Sequence, residues 1–129
     1  PPSIAFPRKI DVDNNYDSLV AILLDASQNN GAAKRDNNGI FPPLVAIATH
    51  DEKRIEYVMQ YISKNSITPN QYEFQMLYGI RKDLQEALVK EGHAVRVYVP
   101  FGSQWYPYFM RRLAERPANL WFVLSSLFH

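Results

Sequence analysis

Hydrophobic positions along the chain fall into short blocks whose period alternates between helical and extended. The start, 1–14, is rich in proline and polar residues and reads as loop, with Asn14 or Asn15 placed to cap a helix at Tyr16. Tyr16, Leu19, Val20, Leu23 and Leu24 then recur at helical spacing and predict a helix over 16–27. QNNGAAKRDNNGI, 28–40, is a turn-rich loop. FPPLVAIA, 41–48, is a continuous apolar run without polar alternation and predicts a strand covered on both faces. Ile55, Val58, Met59 and Ile62 share one side of a predicted helix over 51–63, with Thr49–Asp51 supplying its turn and cap. A second strand is predicted over 72–77, a helix over 81–92 with Gly92 as its stop, and a third strand over 94–100. FGS leads into a last helix over 105–119, where Pro107 suits a first turn and Pro117 the far end. The apolar tail LWFVLSSLF fits strand or helix equally well. Each strand is separated from the next by a helix of the length a parallel crossover needs. The expected fold is therefore a parallel α/β sheet with right-handed crossovers.

Composition narrows the function. At 129 residues the chain is one modest domain or a piece of a larger one. A net charge of +1 does not favour the broad basic footprint of a nucleic-acid binder. The absence of cysteine excludes disulfide and thiolate chemistry and fits a reducing compartment. No apolar run reaches the roughly 18 residues of a membrane span, and PPSIAFPRK lacks the apolar core of a signal peptide.

Candidate chemistry lies where the predicted strands end. The first ends in Thr49-His50, the second carries Gln75 before Leu77, and the third ends at Tyr98. Parallel α/β folds build their sites at the carboxyl ends of strands. In the last helix Tyr108, Arg111, Arg112 and Glu115 fall at i, i+3, i+4 and i+7 on one broad face. Neighbouring guanidinium forks match a carboxylate or a phosphate. Each residue has a plainer reading. The arginines fit a solvated helix end with an internal Glu–Arg pair, His50 a helix cap, Gln75 an interior amide bonded to the next strand, and Tyr98 core. No metal-ligand spacing, glycine-rich phosphate loop or nucleophile elbow is present. From the residues alone, the site is a cleft for a small anion beside aromatic and amide groups able to bind a planar cofactor.

THDEK at 49–53, EFQMLYGIR at 73–81, VRVYVPFG at 95–102 and YFMRRLAERPAN at 108–119, with AFPRKIDVDNNY upstream, resemble proline dehydrogenase, most closely its single-function bacterial flavoenzymes. The resemblance covers almost the whole chain. It implies a (βα)8 TIM-like barrel with FAD at the carboxyl ends of the strands, of which residues 1–129 would form the C-terminal portion, about three βα units plus a final helix. It implies oxidation of L-proline to 1-pyrroline-5-carboxylate by hydride transfer to flavin, in proline catabolism to glutamate, with a membrane quinone as electron acceptor. By the same resemblance Arg111 and Arg112 bind the proline carboxylate, and Tyr98, Leu77 and Tyr108 pack near the substrate ring. Thr49, His50, Gln75 and Glu115 match positions beside the FAD. No residue of this segment is expected to be catalytic in its own right, and no metal is expected. The implied location is cytoplasmic, peripheral to the membrane.

The resemblance also implies missing parts. The family's lysine and aspartate from earlier strands, and an arginine-containing segment before Pro1, have no counterpart here. A partial barrel exposes sheet edges that invite pairing with another chain, so self-association is expected. The competing reading is a catalytically incomplete barrel fragment that serves as an assembly or interaction module.

Overall fold

The computed structural model describes residues 4–103, 106, 107, 110 and 111. Three helices alternate with three strands in the order α1 (Lys9–Ser27), β1 (Val45–Ala48), α2 (Glu52–Lys64), β2 (Tyr72–Leu77), α3 (Lys82–Lys90) and β3 (Val95–Tyr98). The strands form one parallel sheet in the order β1-β2-β3, as the alternation predicts. Residues 106, 107, 110 and 111 are helical, which agrees with a last helix beginning near Pro107. Tyr108, Arg112, Glu115 and the tail lie outside the described residues.

α2 shows why its periodic pattern is informative. Ile55, Val58 and Ile62 are buried, and Met59 packs against the same core. The Asp51 carboxylate accepts from the Lys53 amide at 3.0 Å, and Thr49 Oγ1 accepts from the Asp51 amide at 3.0 Å, so the turn and cap are as expected. α3 ends at Lys90, and the chain turns away through Gly92, whose φ of +90° only glycine adopts without strain, while the His93 amide closes the end on the Leu88 carbonyl at 3.0 Å.

Two expectations are corrected. α1 begins at Lys9, well before Tyr16. Arg8 pairs with Asp11, and Lys9 with Asp13, one turn apart, so the polar stretch read as loop is a solvated helical turn. Its buried residues are Val20, Leu24 and Ser27, with Tyr16 partly covered; Leu19 and Leu23 are exposed. β1 is shorter than 41–48 and is covered on one face only. Pro42 and Pro43 have no amide hydrogen for a ladder. Val45 and Ile47 are buried, whereas Ala46 and Ala48 are exposed.

Register fixes what each face carries. Val45 pairs with Tyr72, and Ile47 with Phe74, which in turn pairs with Val95. These residues and Met76 form the core under the helices. Ala46 pairs with Glu73, Ala48 with Gln75, Gln75 with Arg96 and Leu77 with Tyr98, so the polar groups share the opposite face. α1 packs on α2 and β1. Arg54 bonds Asp17 at 2.7 Å and the Tyr61 hydroxyl bonds Asp25 at 2.8 Å, which ties α2 to α1.

Candidate functional site

At the carboxyl ends of the three strands a cavity of about 310 Å³ opens between Ala48, Thr49, His50, Gln75, Met76, Leu77 and Tyr98. Five residues singled out from the sequence therefore meet in one place: Thr49, His50, Gln75, Leu77 and Tyr98. Arg111 is exposed and is not among the described residues that line the cavity.

Each lining group is held by a specific bond. Thr49 is buried, and its hydroxyl oxygen takes the Asp51 amide. His50 is not the cap of α2, which is Asp51. Its Nε2 instead accepts from the Leu77 amide at 2.9 Å, two residues beyond the last β1–β2 pair. That nitrogen is therefore unprotonated, and the ring continues the sheet where β1 has ended. The Gln75 amide donates to Glu73 Oε1 at 2.7 Å and accepts from the Tyr98 hydroxyl at 3.0 Å. The interior-amide reading of Gln75 thus holds at the same time as its place in the cavity wall. Tyr98 is half exposed, with its ring at the mouth and its hydroxyl tied to the strand beside it.

Glu73 and Arg96 were not singled out by sequence reasoning. Arg96 grips Glu73 with both arms of its guanidinium, at 2.7 and 2.9 Å, and also donates to the Gly39 carbonyl at 3.1 Å. The Glu73 side chain is 2% exposed. Burial alone would raise its pKa, but the bonds from Arg96 and Gln75 outweigh it and hold the carboxyl below its ordinary value. The available signal was the period of two: Glu73 shares the face of Gln75 and Leu77, and a charge there requires a partner. Among the described residues no group of three or more His, Cys, Asp or Glu could hold a metal ion, and no helix is long and apolar enough to cross a membrane.

A parallel sheet with its polar groups gathered at the strand ends is common to many families, and the sequence decides between them. The sequence model describing proline dehydrogenase matches residues 1–124. This chain belongs to the proline dehydrogenase family. It is 44% identical over 124 residues to proline dehydrogenase 2 of Bacillus subtilis, covering 96% of this chain and 36% of that protein. It is 42% identical over 127 residues to a proline dehydrogenase of Deinococcus radiodurans, covering 98% of this chain and 36% of that protein. The bifunctional protein PutA of Escherichia coli is 34% identical over 126 residues, covering 92% of this chain and 8% of PutA. The chain thus spans about a third of the curated single-function relatives. As a proline dehydrogenase segment, it contributes three neighbouring strands and the pocket at their carboxyl ends.

Proposed function

We propose that this segment supplies one wall of a flavin-dependent proline oxidation site at the rim of a (βα)8 barrel. In this reading FAD lies against Thr49, His50 and Gln75, with Glu115 beside it. L-Proline sits between the cofactor and Tyr98, Tyr108 and Leu77, its carboxylate gripped by Arg111 and Arg112. The supporting observation is the convergence of Thr49, His50, Gln75, Leu77 and Tyr98 on one cavity, in a chain of the proline dehydrogenase family.

The donor set suits a flavin ring. Ala48 and Leu77 offer apolar surface for a planar face, and Gln75 offers an amide for a polar edge. A cavity of about 310 Å³ is at the small end of ligand sites, which run from roughly 300 to 1,000 Å³. It has room for a ring system rather than an extended dinucleotide, so the remainder of FAD would rest on polypeptide outside these residues. Ile10, Val12, Leu19, Ile22 and Leu23 of α1 are exposed, which supports a working state in which further polypeptide or a second copy covers that helix.

When bound, FAD would supply the acceptor for a hydride from the proline ring carbon that adjoins nitrogen and does not bear the carboxylate; the N–H proton would pass to water as the C–N bond becomes double, and a membrane quinone approached from the cytoplasm would take the electrons. The work of this chain is positioning. Two adjacent guanidinium groups fix the carboxylate bidentately, and a carboxylate held at one end restricts how the small ring can lie. Tyr98 and Leu77 exclude water from the reacting carbon.

The test uses the longest polypeptide that carries this chain. The purified protein is expected to be yellow, with flavin absorbance bleached by L-proline. Arg111→Met and Arg112→Met are each expected to raise KM for proline about 10- to 100-fold, from the loss of a charged hydrogen bond. Unchanged KM would remove the arginines' role. A colourless, proline-indifferent protein would leave the non-catalytic interaction module.

A further inference from the structure

A chain of hydrogen bonds crosses the sheet behind the pocket. It starts at the Gly39 carbonyl in the loop before β1 and passes to Arg96 on β3, at 3.1 Å. Arg96 holds Glu73 on β2 at 2.7 and 2.9 Å. Glu73 accepts from Gln75 Nε2 at 2.7 Å, and Gln75 Oε1 accepts from the Tyr98 hydroxyl at 3.0 Å. Only the last two members line the pocket.

The order of donors in this chain is dictated by chemistry. Arginine only donates and an ionised carboxylate only accepts. A glutamine amide could face its neighbours either way round, but beside a carboxylate it must present its N–H₂. Its oxygen then faces Tyr98, and the phenol must be the donor. Of the four hydrogen-bonding positions on the Gln75 amide, these bonds use two.

We infer that Glu73, locked by Arg96, is a positioning residue that sets which way round the Gln75 amide stands and, through it, where the Tyr98 phenol sits at the pocket mouth. Glu73 does this from behind the wall, buried and without touching the cavity. The consequence for substrate binding rests on the proposed flavin and proline reading; the consequence for the Gln75 amide does not.

The test is Glu73→Gln in the longest polypeptide that carries this chain, labelled with ¹⁵N-glutamine. A side-chain amide at this position has one oxygen for three donors, so Gln75 loses its fixed acceptor. In the wild type one Gln75 side-chain N–H proton should lie downfield and exchange slowly. In E73Q that signal should move upfield, and its exchange should quicken by about 3- to 10-fold. If E73Q does not fold, Glu73→Asp keeps the charge for Arg96, draws back one methylene from Gln75, and should give the same change. An unaltered Gln75 signal in whichever variant folds overturns the inference.

If the protein holds flavin, the same variant should raise KM for proline by about 3- to 10-fold, with kcat changed less. Combined with Tyr98→Phe it should add almost nothing, because both act through one bond. Additive effects overturn the inference. If the protein is colourless, the proposed function fails, and the Gln75 amide signal alone decides the role of Glu73.

Discussion

Replacing His50 with alanine should loosen the end of β2 while leaving the rest of its ladder intact. The last β1–β2 pair is Ala48 with Gln75, so the backbone of β1 offers no partner to the Leu77 amide. His50 Nε2 takes that amide at 2.9 Å. A lost hydrogen bond costs roughly 0.5–1.5 kcal/mol net, and a donor left buried without a partner costs about 1–3 kcal/mol. Leu77 is half-buried and lines a cavity, so water can reach the freed amide and the lower end applies, about 1 kcal/mol. Since 1.4 kcal/mol is tenfold, amide exchange at Leu77 should quicken by about 5-fold through easier local opening. The Phe74 amide, bonded to the Ala94 carbonyl at 2.8 Å on the other edge of β2, should keep its rate. The assay is hydrogen–deuterium exchange resolved to single amides in His50→Ala against the wild type. An unchanged Leu77 rate, or equal acceleration along all of β2, would refute the view that His50 extends the sheet locally.

Leu24 is fully buried where α1 meets the core, and Leu24→Ala should lower the unfolding free energy by about 2–5 kcal/mol, read from the denaturant midpoint. In this chain alone, with α1 uncovered, Ile22, two positions earlier but 63% exposed, should change it by no more than about 0.5 kcal/mol on the same substitution. Tyr72 is buried, and desolvation pushes its pKa from 10.0 up to about 12. Its folded pKa lies above the unfolded one, so its contribution is complete below pH 10.0 and fades as pH rises through about 12; ultraviolet titration of the wild type against Tyr72→Phe should show that this phenol is among those ionising late. His93 lies 2.7 Å from the Tyr72 hydroxyl, and burial lowers its pKa from 6.5, with Glu91 opposing weakly. The fold favours the neutral ring, so its contribution is present above pH 6.5 and is lost as pH falls below that value; an imidazole proton resonance titrating at or above 6.5 would contradict this.

What the sequence disclosed, it disclosed through period. β2 was legible to the residue because Tyr72, Phe74 and Met76 alternate with Glu73, Gln75 and Leu77 between turn residues. α2 was legible because its apolar stripe is narrow and Asp51 marks its start. The part of α1 from Tyr16 to Ser27 was legible, but its start was not, because its first turn is held by Arg8–Asp11 and Lys9–Asp13 pairs on a polar surface, and an apolar period has nothing to report there. The pocket emerged from the rule that sites lie at the carboxyl ends of parallel strands, and that rule is blind to what stands behind a site. Glu73 and Arg96 are 23 residues apart and become partners only once β2 and β3 are in register, a fact that no local window contains. Assigning His50 required the same information, since its partner lies 27 residues away.

The strict alternation of the strands divides labour in a way that bears on how such a protein can be altered. Along β2, the even-numbered side chains Tyr72, Phe74 and Met76 hold the helices, while the odd-numbered ones face the polar side. Ala48, Gln75, Leu77 and Tyr98 can therefore be varied together in a combinatorial library without disturbing Val45, Ile47, Phe74 or Met76. On the proposed proline-oxidation reading, room for a bulkier cyclic amino acid comes from shortening Leu77 or Tyr98, the larger side chains on that wall, since Ala48 can be shortened only to glycine.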